Sequence, residues 1–348
     1  MTKNKHFNYL SLASVISALS VIIIHTSSFY LFAENPRWLL ANFINTFFTF
    51  AVPVFFMISG ATLIDYRERY DTKTYLKKRF KRTLIPFIFW SIAAIAMHLF
   101  WLKDLPQDSY SVLNIINGIF SCSFLPIFWF FIPLFILYLA IPVLSAINKK
   151  DRQNVFRYII AASLILNFII PSIIRAFNTP LSFPINFAIS TQSAIFYAVI
   201  GYYIHNYKIS KRNRLIIYAL GLLAATGSFI GTAVLSFRSG AISGFLTDIS
   251  DATYAFFGPA VFLFIKQFFE KHIHSDKTIF ARIISFFNQY TFASYLTHWF
   301  PIAFLSVWLG NAHTQWYYPL AVIPICIATA IISKFIFSKI PFIRHLLP

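Results

Sequence analysis

The chain has little cysteine, few acidic residues and no polar stretch long enough to fold alone. Its two cysteines are Cys122, between apolar runs, and Cys326, inside the last of them. That is too few for a disulfide framework and the wrong placing for a thiolate metal site, so no metal is expected. There is no CxxC pair, no HExxH helix and no glycine-rich phosphate loop. No gap between apolar runs can hold a separate soluble domain. Whatever chemistry the protein performs must rest on helices and short loops. Eleven Asp and Glu against 29 Lys and Arg leave a net charge of +18. In a soluble protein that excess would suggest nucleic acid. Here it is confined to one set of gaps, where anionic headgroups and cytosolic phosphates would meet it, so no nucleic-acid partner is expected.

The rest is mostly apolar. Runs near 9–31, 40–64, 84–102, 126–147, 157–174, 186–206, 214–236, 246–266, 290–309 and 317–338 each approach the roughly 20 residues that cross about 30 Å of hydrocarbon. All but four of the Lys and Arg residues fall in alternate gaps: Lys3 and Lys5, then 65–83, 148–157, 207–214, 266–288 and the tail. The exceptions are Arg37, Lys103, Arg175 and Arg238. Short cytoplasmic loops retain positive charge, so both termini are expected inside. The first run follows two lysines as a signal peptide would, but it lacks a small-residue cleavage site and is read as a retained helix. The expected fold is an all-α integral membrane protein, a bundle of about ten transmembrane helices with cytoplasmic termini and 1–348 as one domain. Forty-three Phe suit lipid-facing helices and a bulky interior rather than a wide water-filled pore. No internal repeat is visible, which weighs against many secondary transporters. The stretch Asp65–Arg82 is expected to lie along the inner surface as a basic amphipathic segment leading into the third run. It either sets topology alone or also holds the phosphates of a cytosolic cofactor.

Ionisable groups at membrane depth are costly, so each is a functional candidate, with an interhelical hydrogen bond as the competing account. His25 lies roughly 24 Å from the inner end of the first run, at about 1.5 Å per residue. His98 is similarly deep in the third run and His298 lies near the middle of the ninth. Asp248 and Asp251 are expected one turn apart at the outer end of the eighth. Together these side chains could line an outward cleft. Histidine, with an ordinary pKa of about 6.5, suits taking a proton from a hydroxyl and returning it. Ser11, Ser14, Ser17 and Ser20 recur every third residue beside His25, a row suited to close helix packing rather than nucleophilic chemistry.

These features carry a resemblance. Ile22-Ile23-Ile24-His25-Thr26, Val52-Pro53-Val54-Phe55-Phe56-Met57-Ile58-Ser59-Gly60 and Lys78-Arg79-Phe80-Lys81-Arg82-Thr83-Leu84-Ile85-Pro86 occur in that order. They are followed by Trp129-Phe130-Phe131, Tyr138-Leu139 with Pro142, and Tyr295-Leu296-Thr297-His298. Over most of its length the chain resembles the acyltransferase type 3 family, multi-pass proteins of the bacterial cytoplasmic (inner) membrane that O-acylate envelope polysaccharides and glycolipids. The resemblance implies acetyl-CoA or another acyl-CoA as donor, with Arg79 and Arg82, and Lys78 beside them, at its phosphates. It implies His25 as general base or acyl carrier, and an envelope polysaccharide or lipid-linked glycan as acceptor. His298, His98, Trp129, Asp248 and Asp251 are the substrate-binding candidates. Three positions depart from the family. Its arginine eleven residues before the histidine is Ser14 here, the acid three residues before that is Ser11, and its histidine two residues before the Trp-Phe pair is Ile127. Losing acid and arginine together strands no buried charge. An exporter or flippase of envelope glycan, a family member without transfer activity, and a sensor or scaffold are the alternatives.

Overall fold

The computed structural model describes residues 9–27, 37–104, 111–177, 193–273, 278–310 and 317–348. Lys3, Lys5, Lys277 and the run segments 28–31 and 186–192 lie outside the described residues. The described residues are helical with no strand. In order they form α1 (Tyr9–Ser27), α2 (Trp38–Phe48), α3 (Ala51–Leu63), α4 (Thr72–Met97), α5 (Val112–Phe120), α6 (Phe131–Ala146), α7 (Lys149–Ser163) and α8 (Ile170–Ala176). They continue with α9 (Ser193–Asn206), α10 (Lys211–Ser239), α11 (Ala252–His272), α12 (Ile279–Asn288), α13 (Thr291–Thr297), α14 (Trp299–Trp308) and α15 (Tyr318–Lys339). Eight helical stretches among the described residues are long and apolar enough to cross a membrane, so the protein is a multi-pass membrane protein. They correspond to eight of the ten runs. Of the other two, the run at 186–206 is described as the 14-residue α9, and the run at 290–309 is split into α13 and α14.

Several elements depart from the sequence reading, each for a local reason. The run at 40–64 is two helices, because Pro53 has no N–H for the carbonyl of Thr49 and its ring crowds that carbonyl. Pro301 stands in the same relation to Thr297, and there the ninth run breaks, with His298 between α13 and α14. The basic stretch is not a separate surface segment. A short 3-10 turn (Tyr66–Glu68) ends it on one side, and the Asp71 carboxylate then caps α4 by accepting from Thr74 N at 2.8 Å. From Thr72 the basic residues are the opening turns of the crossing helix itself. That helix ends in a π-helical turn, His98–Leu102, closed by Lys103 with φ 54°. The gaps at 103–125 and 266–288 each hold a short helix. α5 and α12 leave apolar stripes exposed (Val112, Leu113, Ile116 and Phe120; Ile279, Phe280, Ile283 and Phe286), as helices lying in a membrane interface do.

The chain forms two compact units, residues 1–69 with 140–289 and residues 70–139 with 290–348. In the first unit α3 packs against α1 and α9, and α10 against α11 and α2. The α3/α9 crossing is close enough to require glycine on both sides. A Cβ at Gly60 would overlap the Ala198 carbonyl oxygen, and one at Gly201 would overlap that of Met57. α9 is buried on almost every face, which suits its all-round apolar sequence. In the second unit α13 and α14 pack on α15, and α13 also meets α4. Its core is aromatic: contacting rings among Phe87, Phe128, Phe131 and Tyr295 stand with centroids 5.1 to 6.1 Å apart. The indole of Trp90 donates to the Leu346 carbonyl at 3.1 Å, which fastens the C-terminal residues to α4.

Candidate functional site

In the second unit the opening of α4 carries Lys78, Arg79 and Arg82. Positions 78 and 82, and 79 and 82, are neighbours on one helix face, where like charges repel by a few tenths of a kcal/mol per pair. An anion shared among them reverses that sign. Tyr70 gathers two of the three. Lys78 Nζ stands 4.4 Å over its ring, and Arg79 Nη2 lies 3.5 Å from its hydroxyl. Phe80, between them in sequence, turns the other way and stacks on Phe135 at 5.6 Å. Arg79 Nε is buried and has no hydrogen-bond partner among the described residues. A buried guanidinium N–H without an acceptor is costly, and a phosphate oxygen is the acceptor that its fork of donors fits. Upstream, the Thr74 backbone N–H, and then its hydroxyl, hold the Asp71 carboxyl below the usual carboxylate range.

The same unit holds His98, Trp129 and His298. His98 is engaged on both ring nitrogens, with Nδ1 2.7 Å from Asp104 Oδ1 and Nε2 2.9 Å from the Phe124 carbonyl, and its ring leans on Trp299. It therefore ties the π-helical turn to the segment before Pro126, the arrangement of a structural histidine. Asp104 carries no signal in the sequence because it lies beyond the apolar run. His298 is fully buried at the α13/α14 break. Its Nδ1 lies 2.9 and 3.0 Å from the carbonyls of Ser294 and Tyr295, which assigns the proton to Nδ1 and leaves Nε2 as the acceptor. Trp129 is exposed in a 3-10 turn, Pro126–Phe130. Two residues earlier, the Ile127 carbonyl accepts from the Tyr295 hydroxyl at 2.5 Å. Cys122 is buried nearby in sequence and burial pushes its thiol up to about 11, so it is protonated and inert at neutral pH.

The first unit holds His25 and the two aspartates. His25 is half-buried in the last turn of α1, beside buried Thr26 and Ser27. On that helix Ser17 and Ser20 are buried as packing residues, and Ser11 accepts a long bond from Asn288 Nδ2 at 3.4 Å. Asp248 and Asp251 are not on a helix face. They form a turn ahead of α11, in which Asp251 Oδ2 accepts from Asp248 N at 2.9 Å and Asp248 Oδ1 binds the Ser250 N–H and hydroxyl. Asp251, 3% exposed, is ion-paired with Arg175. The Ser172 hydroxyl accepts from Ala252 N at 2.9 Å beside it. So one of the four basic residues outside the alternate basic gaps is the partner of a candidate acid. The polar positions expected in one outward cleft are thus divided, with His25 and the aspartates in one unit and His98 and His298 in the other.

One buried charged cluster has almost no signature in the sequence. Arg152, 3% exposed, donates from Nη1 to Asp65 at 2.6 Å and to the Tyr202 hydroxyl at 2.9 Å. It donates from Nη2 to the carbonyls of Ser145 and Ile147 at 3.1 and 2.8 Å. It links the ends of α3, α6, α7 and α9. The only signal is that Asp65 is one of few acids and directly follows an apolar run.

A family model for an acyltransferase domain matches residues 7–337, nearly the whole chain. No curated protein and no solved structure matches the chain. The family match covers the His25 helix, the basic opening of α4 and the His298 break alike, and by it the chain belongs to the acyltransferase type 3 family.

Proposed function

We propose that the protein is a membrane O-acyltransferase of the bacterial cytoplasmic membrane, crossing it ten times with both termini inside. It takes an acyl group, acetyl in the simplest case, from cytoplasmic acyl-CoA and delivers it to a hydroxyl of an envelope polysaccharide or lipid-linked glycan. The observation that carries this reading is the family match over almost the entire chain. The Arg79 Nε, without a partner among the described residues, stands beside Lys78 and Arg82 and supports the donor side, since these groups fit the phosphates of coenzyme A. His25 acts as base or acyl carrier. As base it accepts the proton of the acceptor hydroxyl while the oxygen bonds to the thioester carbonyl carbon. The C–S bond then breaks and the proton passes to the departing thiolate. His98, Trp129, His298, Asp248 and Asp251 remain acceptor-side candidates, of which His98 and Asp251 are the most committed to the fold.

The test is turnover of radiolabelled acetyl-CoA, with labelling of envelope glycan, by the wild type and His25→Ala in lipid nanodiscs. Loss of about 10²-fold or more in the variant is the expected result for a general base. Unchanged turnover removes His25 from the chemistry. Ser14 and Ser11, which stand where the family carries its arginine and acid, favour a second reading as an exporter of envelope glycan. That reading predicts glycan movement with no acyl-CoA consumed by either protein.

A further inference from the structure

Within the first unit, α7, α9, α10 and α11 leave a cavity of about 580 Å³. Ala161, Ala255 and Pro259, small where their neighbours are bulky, leave the space, and Leu164, Phe196 and Ile200 give it an apolar wall. It extends from Arg157 of α7 to Leu164 just beyond that helix, and along α10 from Asn213 to Leu220, about 10 Å in each case at 1.5 Å per residue. Its mouth carries Arg157, Lys208, Ser210 and Asn213, and no carboxylate among the described residues lines it. The Tyr203 hydroxyl accepts from Arg157 Nε at 2.7 Å, which fixes the guanidinium at the mouth and leaves the remaining fork donors to a ligand. Lys208 is exposed. A second, polar cavity of about 380 Å³ adjoins the first and shares Ile204, Lys208 and Ile209 with it. Lys266 stands 3.9 Å from Glu270 there, and Arg214 also lines it. An apolar chamber therefore opens, through a lysine, into a polar vestibule with an excess of cations.

We propose that this groove is a binding site for an anionic phospholipid, with one acyl chain in the apolar chamber and the phosphate on Lys208 and Arg157. Charge complementarity selects the occupant. A cationic mouth without a carboxylate favours a lipid whose phosphate is not offset by its own amine, and basic pockets between helices at an anionic leaflet are where such headgroups bind. The chamber is within the size range of built ligand sites. Lys78, Arg79 and Arg82 do not line it, and the binding does not depend on acyl transfer.

The experiment uses the full chain, delipidated in detergent, titrated with phosphatidylglycerol or phosphatidylcholine in mixed micelles. The readouts are the unfolding midpoint and the lipid retained in native mass spectrometry. Phosphatidylglycerol is expected to raise the midpoint and remain bound at unit stoichiometry, while phosphatidylcholine does neither. Lys208→Gln should weaken the apparent Kd about fivefold. Ala161→Phe, which fills the chamber and leaves both cations in place, should abolish retention. Arg157→Gln also removes the bond to Tyr203, so Lys208→Gln, at an exposed side chain, is the variant that decides if Arg157→Gln does not fold. Equal responses to the two lipids, or wild-type binding by both Lys208→Gln and Ala161→Phe, would overturn the proposal in favour of annular lipid. Tighter binding of palmitoyl-CoA than of phosphatidylglycerol at the same groove would overturn it in favour of an acyl donor.

Discussion

At the scale of single residues, the same side-chain type plays different parts according to what surrounds it. Arg152 and Arg79 are both basic residues of the alternate gaps that gather the positive charge, and a topological count treats them alike. Arg152 has its charge matched by Asp65 and its donors taken by a hydroxyl and two carbonyls. Its partner lies 87 residues away, so no local pattern could reveal the pair. Arg79 keeps a buried donor with no acceptor among the described residues, which is what makes it a candidate for a ligand. Arg79→Ala should therefore raise the KM for acyl-CoA about ten- to hundredfold, the usual worth of a charge-assisted hydrogen bond. Arg79→Lys should not restore it, because a point charge cannot reproduce the planar fork; full rescue by lysine in a steady-state assay would sink the phosphate assignment. Asp71 makes a prediction of a different kind. Its native pKa is lowered by the Thr74 backbone N–H and hydroxyl. Its cap therefore contributes stability above the unfolded pKa, about 3.9, and that contribution is lost as pH falls through the native value. Unfolding midpoints of wild type and Asp71→Ala should differ at pH 7 and begin to converge as the pH falls below about 3.9, whereas a constant gap would show that the carboxylate is not the cap.

At the scale of elements, hydropathy makes the crossing segments visible and hides their interior breaks. Pro53 and Pro301 each stand four residues after the point where a run divides, and the sequence contains that information, but averaging over a run treats a proline as one mildly apolar residue. The start of α11 is hidden for a related reason. Leu246 and Thr247 open the apolar run across a turn that Asp248 and Asp251 in fact organise. The α3/α9 crossing is legible only as the Ser59-Gly60 end of a motif. What gives the glycine its role is the Ala198 carbonyl, far away in sequence, that a Cβ would strike. Gly60→Ala should destabilise the protein by about 1–3 kcal/mol through overpacking against backbone, despite the better helix propensity of alanine. A Cβ added at Gly227, inside α10, would meet nothing within 4 Å, so Gly227→Ala should instead stabilise by about 0.5–1 kcal/mol. Thermal unfolding in detergent compares the two directly. A stabilising Gly60→Ala would show that the two helices do not cross this closely.

At the scale of the whole molecule, the charge partition and the apolar runs together predict more crossings than length and hydropathy of the helices alone support. The two in question are α9, with 14 described residues, and the broken α13/α14 pair. Each is bracketed by exposed basic residues whose sidedness depends on it. If α9 crosses, Lys149 and Lys211 lie on the same side of the membrane; if it does not, they lie on opposite sides. If α13 and α14 cross, Arg344 lies on the side of Arg282; without that crossing, α15 carries Arg344 to the other face. Single cysteines at Lys103, Lys149, Lys211, Arg238, Arg282 and Arg344 therefore count the spans as well as orient them. The native thiols need not be removed, since Cys122 and Cys326 are both buried, and burial keeps the Cys122 thiolate negligible at neutral pH. With an impermeant maleimide, Lys103→Cys and Arg238→Cys should label in intact cells, and the other four only after permeabilisation. Labelling of Lys211→Cys but not Lys149→Cys in intact cells would remove α9 from the crossings. Labelling of Arg344→Cys but not Arg282→Cys would remove α13 and α14. Either result would also move the basic residues beyond it to the outer face, against the charge rule that places the termini inside.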